Sequence, residues 1–286
     1  MMSGQRARTI AGFIFDVDGC VARGNHALPG VPETLAELRA RGLRCAFLTN
    51  ENMRTRAQVV EKLNGLGIPA SSDDVVTAAV IAAEVTQALH PGRRVLAIGA
   101  AGLLEALHDR GVALVERQQA AEAEVVVMGK DPDFNQKTLE LVCQAIWNGA
   151  DFIVTNLDPK VPSATGFIPA TGPMIKAVAY ATGKEPLVCG KPSRWAGEMA
   201  VRALGLRPEE SAVVGDQLEQ DIRMGKEAGL FSVLVLTGAT TRDGVAAAPE
   251  ALRPDLVLAD VNALPAWLDG EFDRGAAPSA ALAVGA

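Results

Sequence analysis

An apolar run that ends in two aspartates one residue apart and a glycine, Phe13-Ile14-Phe15-Asp16-Val17-Asp18-Gly19, constrains this chain more than any other stretch. In a strand, residues i and i+2 point the same way. Asp16 and Asp18 would then aim both carboxylates at one spot past the strand's C-terminal edge, where open α/β sheets bind ligands. Two adjacent carboxylates repel unless a cation or a shared proton relieves them, which suggests a divalent metal, an acid/base couple, or both. Taken alone, the tetrapeptide also reads as a solvated turn, because Asp and Gly are ordinary turn residues.

Three later segments tip the balance. Cys45-Ala46-Phe47-Leu48 is a second apolar run and ends in Thr49-Asn50. Leu187-Val188-Cys189-Gly190-Lys191-Pro192 places a lysine after a third, and Ala212-Val213-Val214-Gly215-Asp216 ends a fourth in an aspartate, with Asp221 close behind. Singly, each has an ordinary structural account: a helix cap at Thr49-Asn50, a solvated loop cation at Lys191, a cap and a helix-surface charge at Asp216 and Asp221. Together they describe strand ends that carry carboxylates, a hydroxyl and an ammonium, the set a metal-assisted phosphoryl-transfer site requires.

Asp16-Val17-Asp18-Gly19, Leu48-Thr49-Asn50, Gly190-Lys191-Pro192 and Gly215-Asp216 followed by Asp221 resemble, in order, the four motifs of the haloacid-dehalogenase-like phosphatases. Leu28-Pro29-Gly30-Val31-Pro32-Glu33, Ile98-Gly99-Ala100-Ala101-Gly102-Leu103, Thr155-Asn156-Leu157-Asp158 and Pro169-Ala170-Thr171-Gly172 resemble its NagD-like branch. That branch includes 4-nitrophenylphosphatases and phosphatases of nucleoside monophosphates, phosphoglycolate, glycerol phosphate and pyridoxal phosphate. The resemblance runs from about Ala11 to about Leu268.

It implies a Mg²⁺-dependent phosphatase acting on a small-molecule phosphate monoester, such as a sugar phosphate, a nucleoside monophosphate or glycerol phosphate. Asp16 would be the nucleophile that takes the phosphoryl group as an aspartyl phosphate. Asp18 would protonate the leaving oxygen and then take a proton from the attacking water. The metal set would be the Asp16 carboxylate, the Asp18 backbone carbonyl and Asp216, with Asp221 in support. Lys191 would pair with Asp16 and a phosphoryl oxygen, while Thr49 and the Asn50 backbone would donate hydrogen bonds to the others. One departure stands out: Glu51 occupies a position where many relatives carry a second Asn. A carboxylate beside a dianion is unfavourable unless it points away or pairs, and Arg54 and Arg56 are at hand.

Along the chain, apolar strand candidates alternate with helical patterns, the signature of α/β architecture with a parallel sheet. The sequence predicts strands at 12–16 and 44–49 with helices at 31–41, 54–66 and 77–89. A middle set follows, with strands at 94–99, 112–115, 124–129 and 151–154, helices at 101–109 and 135–148, a Pro/Gly-rich loop from Asn156 to Pro173, and helix 173–182. The last set is strand 187–189, helix 194–204, strand 211–215, helix 219–228, strand 231–235 and a short strand near 256–258. The first two motifs precede the middle set and the last two follow it. The expected fold is therefore a doubly wound, Rossmann-like parallel sheet core of residues 1–83 and 186–268, with 84–185 inserted as an α/β cap that acts as a lid. Residues 269–286 are Ala/Gly-rich and aperiodic and read as a disordered tail. The loop Asn156–Pro173 is the expected selector of the leaving group, with Asn156, Asp158 and Thr165 as its candidate contacts.

At 286 residues the chain can bury a sizeable core. It has no apolar stretch long enough to span a bilayer and no apolar signal core at its N-terminus, which makes the cytoplasm the expected location. The formal net charge is −7 and the basic residues form no cluster, which argues against nucleic acid as a partner. A small phosphate ester is the expected partner, and a homodimer through the cap is the assembly this reading allows. Cys20, Cys45, Cys143 and Cys189 lack metal-finger spacing and read as buried thiols. Two other functions compete. A haloacid dehalogenase would share the Asp nucleophile but has no use for Asp18, Asp216 and Asp221 as a metal set. A non-catalytic phosphometabolite-binding protein would most often lack Asp16 or Asp18, and both are present.

Overall fold

Phe13, Ile14 and Phe15 have no exposed surface, so the strand they form, Gly12–Asp16, is covered on both faces, as a central strand of a parallel sheet must be. The structure is a computed structural model that describes residues 10–163 and 166–270. It divides into two compact units, one of Met1–Phe47, Gly65–Pro69 and Leu204–Ala286, the other of Leu48–Asn64 and Ala70–Ala203.

In the six-stranded sheet, strand Gly12–Asp16 lies between Arg44–Thr49 and Ser211–Gly215, and the sheet continues outward through Phe231–Val235 and Leu256–Leu258. The pairings are parallel, with Phe15 level with Val214, Val214 with Val233, and Val233 with Leu256. The ring of Phe15 packs 5.8 Å from Phe13 and 6.2 Å from Phe47, centroid to centroid. Helix Val31–Ala40 buries Val31, Leu35 and Leu38, the spacing that puts three apolar side chains on one helical face. This is the doubly wound, Rossmann-like arrangement. The chain leaves strand Gly12–Asp16 for the strand on one side, Arg44–Thr49, and returns much later to the strand on the other side, Ser211–Gly215. The two connections diverge and leave a crevice at the strands' C-terminal ends. Of the expected tail, Asp269 is described and pairs with Arg41 at 2.8 Å; residues 271–286 lie outside the described residues.

The second unit has its own parallel sheet, in the order Leu187–Val188, Asp151–Val154, Val125–Met128, Val95–Ile98 and Leu114–Val115. Leu96, Ile98, Val126, Met128, Phe152 and Val154 form its core with Val142, Ile146, Ile175 and Val178 from helices Gln136–Trp147 and Thr171–Thr182.

Two expectations about elements change here. Strand Leu187–Val188, expected in the core sheet of residues 1–83 and 186–268, is an edge of this second sheet, with Leu187 level with Ile153 and Val188 with Val154. Its short apolar run matches a core strand in composition, and only the pairing partner distinguishes the two. The segment Asn156–Pro173, expected as a loop, contains an antiparallel ribbon of Lys160–Ser163 and Gly166–Pro169. Prolines argue against a central strand, but in a two-stranded ribbon every strand is an edge and a missing N–H can face outward. Helix Thr171–Thr182 also starts two residues before Pro173, which sits in its first turn, where a missing N–H costs little. Thr165 lies outside the described residues. All four cysteines are buried. Among the described residues, no helix is long and apolar enough to cross a membrane.

Candidate active site

Parallel pairing of Gly12–Asp16 with Ser211–Gly215 brings both strand ends to the same edge of the sheet, and both emerge at the crevice described above. Asp16 is 6% exposed, Asp216 2% and Asp221 0%. Each offers a carboxylate oxygen, and the three oxygens lie within 4.8 Å of one another. Three buried carboxylates this close repel strongly unless a cation sits among them.

Local geometry fixes them. The Asp216 carboxylate accepts a hydrogen bond from the Ala239 backbone N–H at 2.6 Å, and its own carbonyl accepts one from Thr240 N–H at 3.1 Å. Two glycines make room for it: a Cβ on Gly238 would stand 1.8 Å from Asp216 Oδ2, and one on Gly19 would stand 2.7 Å away. The Thr237 hydroxyl donates to the Gly19 carbonyl at 2.6 Å and ties those two turns together. Asp221 arrives by a wider turn than expected. The sequence predicts a regular helix over 219–228, but Leu218–Ile222 is a π-turn, and the α-helix begins only at Arg223. Ile222 N–H reaches back five residues to Gln217 O at 3.2 Å, while Asp221 Oδ2 accepts from Gln217 N–H at 3.0 Å. Such single π-turns recur at functional sites.

Asp18 is placed differently. Strand Gly12–Asp16 stops at Asp16, so the i, i+2 argument for two carboxylates on one strand face does not apply. Gly19, at φ 102°, turns the chain, and Ala22 N–H bonds Val17 O at 2.9 Å. Asp18 is exposed while Asp16 is buried, and its carboxylate is not among the three that converge.

Thr49, Asn50, Asn156, Asp158 and Lys191 lie in the second unit. Thr49 and Lys191 are buried. Asn50 grips the Lys191 backbone from both sides: its Oδ1 accepts from Lys191 N–H at 2.9 Å and its Nδ2 donates to Lys191 O at 3.3 Å. Nδ2 also donates to Asp158 Oδ2 at 3.2 Å, and Asn156 Nδ2 donates to the same oxygen at 2.6 Å. Glu51, the departure in this motif, is accounted for by its own neighbours. Its Oε1 accepts from the N–H groups of Asn52 and Met53 at 3.0 and 2.8 Å, and its Oε2 pairs with Arg54 Nη1 at 2.7 Å. The carboxylate closes the turn before helix Arg56–Gly65, and of the two arginines expected as partners, Arg54 holds it. Asn52, Gly238 and Ala239 were not singled out by sequence. Only Thr237-Gly238, just past strand Phe231–Val235, carried a local turn signal.

Comparison with known proteins accords with this geometry. Residues 13–113 match the family model of haloacid dehalogenase-like hydrolases, and residues 188–264 match a second, HAD-hydrolase-like model. The chain belongs to the haloacid dehalogenase-like hydrolases. It is 33% identical over 236 residues to the 5′-nucleotidase YutF of Bacillus subtilis, covering 82% of this chain and 91% of that protein. The structure is similar to that of a glycerol phosphate phosphatase from Mycobacterium tuberculosis, solved in complex with magnesium (TM-score 0.83, 33% identity, 89% of this chain and 76% of that one). It is also similar to NagD from E. coli (TM-score 0.80, 28% identity, 89% and 98%). Within the hydrolases this chain is of the NagD-like phosphatase branch, a phosphomonoesterase.

Proposed function

We propose that this hydrolase cleaves a small-molecule phosphate monoester through an aspartyl phosphate on Asp16, with Mg²⁺ held by Asp16, Asp216 and Asp221. The observation that carries this reading is the convergence of three buried carboxylates at the switch point of a doubly wound sheet. An all-oxygen, strongly anionic donor set fits a hard divalent cation, which would screen the phosphoryl charge from the incoming nucleophile.

An Asp16 carboxylate oxygen attacks phosphorus, and the bond from phosphorus to the ester oxygen breaks. Asp18 gives its proton to that departing oxygen. In the second step Asp18 takes a proton from a water molecule that attacks the phosphorus of the aspartyl phosphate, and the bond to Asp16 breaks to release inorganic phosphate. The exposure of Asp18 suits a group that must exchange protons with leaving groups and water in turn. Lys191, Thr49 and the Asn50 backbone are the phosphoryl-binding groups, and the charge of the lysine and the fixed donors of the other two act on what all candidate substrates share. Residues 84–185 would form the cap that discriminates between leaving groups, with Thr165 as a contact. Sugar phosphates, nucleoside monophosphates and glycerol phosphate are the substrate class, and a homodimer through the cap would be the assembly.

The test is a panel of phosphomonoesters assayed with Mg²⁺ and with EDTA. Turnover of small esters that EDTA removes and Mg²⁺ restores is expected, and full activity in EDTA would overturn the metal assignment. A second outcome concerns Gly238→Ala. The new methyl would displace the Asp216 carboxylate, since 1.8 Å lies far inside van der Waals contact. Mg²⁺ affinity, read by calorimetry, is expected to fall about 10- to 100-fold, the range for losing a group that orients a metal ligand. Unchanged affinity would take Asp216 out of the metal set.

A further inference from the structure

Asn52 is a polar side chain with only 4% of its surface exposed, and nothing so far gives it a task. Its amide is occupied at both ends. Oδ1 accepts from Lys130 N–H at 2.7 Å. Nδ2 donates to Asn50 O at 3.1 Å, to Asn156 Oδ1 at 2.9 Å and to Thr171 Oγ1 at 3.3 Å. Asn156 is in turn 2% exposed, and its Oδ1 also accepts from the Thr155 hydroxyl at 2.9 Å.

These bonds join end to end. From Lys130 the chain runs through Asn52 to Asn156, from Asn156 to the Asp158 carboxylate, from that carboxylate to Asn50, and from Asn50 to both backbone groups of Lys191. A second branch closes the circuit, since Asn52 also holds the Asn50 carbonyl.

The surrounding backbone is cut to fit it. A Cβ on Gly129 would stand 2.9 Å from Asn52 Oδ1, and one on Gly102 would stand 2.9 Å from the Asn52 carbonyl and 2.2 Å from that of Arg54. A Cβ on Gly190 would stand 2.6 Å from Asn50 Oδ1. Three glycines from three separate strand or helix ends therefore clear space for two asparagines.

We infer that Asn52 is a positioning residue for the phosphoryl-binding groups, acting through Asn156, Asp158 and Asn50 to set where Asn50 and Lys191 present themselves. On this inference the Asp158 carboxylate works as the joint between two amides rather than as a reader of the leaving group. The inference rests on the assignment of Asn50 and Lys191 to the phosphoryl group made above. Buried networks of this kind act as a unit, because each satisfied amide fixes the orientation of the next. A shift of about 1 Å in a positioning group costs on the order of 10²-fold in rate.

The experiment measures inhibition by inorganic phosphate, together with kcat and KM for three unlike phosphomonoesters, in purified full-length variants whose folding is checked by circular dichroism and thermal melting. Asn52→Leu keeps the side-chain size and removes every hydrogen bond. The Ki of phosphate and the KM of all three substrates are expected to rise by one common factor of about 10 to 100. Asp158→Leu, at a half-buried site that tolerates change better, is expected to give the same uniform pattern and serves if Asn52→Leu does not fold. Asp158→Asn retains an oxygen that accepts from both amides, and is expected to restore the Ki of phosphate to within about threefold of the parent, a difference of well under one decade.

Lys191→Met separates the two readings, because it removes the ammonium assigned to the phosphoryl group while the network, which holds only the backbone of residue 191, stays intact. If it leaves the Ki of phosphate unchanged, the phosphate-site assignment falls and this inference with it. If it raises the Ki while both leucine variants leave it unchanged, the positioning role alone is overturned. Unequal factors across the three substrates with an unchanged Ki for phosphate would also overturn it, since Asp158 would then be sensing the leaving group.

Discussion

Asp16→Asn is expected to lower kcat by about 10⁴-fold or more, the order of loss when a covalent nucleophile is removed. At about 1.4 kcal/mol per decade this is at least about 5.5 kcal/mol of transition-state stabilisation. The amide is a poor nucleophile, and it withdraws one of the three carboxylates that converge at the strand ends. Stability should move in the opposite direction. In metal-free protein the three buried carboxylates repel one another, and neutralising one relieves that repulsion. In EDTA the variant should therefore melt at or above the temperature of the parent, the trade between activity and stability common at charged sites. Near-parental turnover by a folded, pure variant would end the covalent mechanism. A clearly lower melting temperature in EDTA would mean that Asp16 contributes to the fold through its charge.

The second large effect is at Asp18. A positioned general acid or base contributes roughly 10²- to 10⁴-fold, and Asp18→Asn should forfeit that in a way that depends on the leaving group. Alkyl phosphates need a proton on the departing oxygen and are expected to lose activity in the first step. 4-Nitrophenyl phosphate, whose leaving group hardly needs one, should lose less there, and its remaining defect should sit in hydrolysis of the aspartyl phosphate. Rapid mixing should accordingly reveal a burst of nitrophenolate, one equivalent per site, followed by a slow steady state. Equal losses for both substrate types without a burst would remove Asp18 from both steps.

Much of this was legible in the sequence, for a physical reason. A buried parallel strand must be almost wholly apolar, so a charged residue at its end stands out. That contrast marked Asp16 and Asp216 and the strands that carry them. What did not show in the sequence is whatever depends on pairing partners or on a turn's width. The run Leu187–Cys189 looks like any short buried strand, and only its alignment with Asp151–Val154 places it in the second sheet. The π-turn at Leu218–Ile222 changes one hydrogen-bond step and leaves no periodic trace. The chain's departure from the strand after Asp16 separates Asp18 from its neighbour, although the i, i+2 spacing suggested a shared face. Pro159, Pro162 and Pro169 hid a ribbon whose open edges tolerate proline. Asn52 was passed over because its partners come from residues far along the chain.

The burial of the cysteines bears on how an oxidant would meet this phosphatase. Many enzymes lose activity to peroxide because a thiolate near the reaction centre is captured as a sulfenic acid, and capture needs both exposure and a low pKa. Cys189 stands two residues before Lys191, yet burial pushes its thiol up to about 12, and burial raises that of Cys143 as well. With the proposed nucleophile an aspartate, all four cysteines buried, and the thiols of Cys143 and Cys189 raised by that burial, the proposed reaction asks nothing of an exposed thiolate.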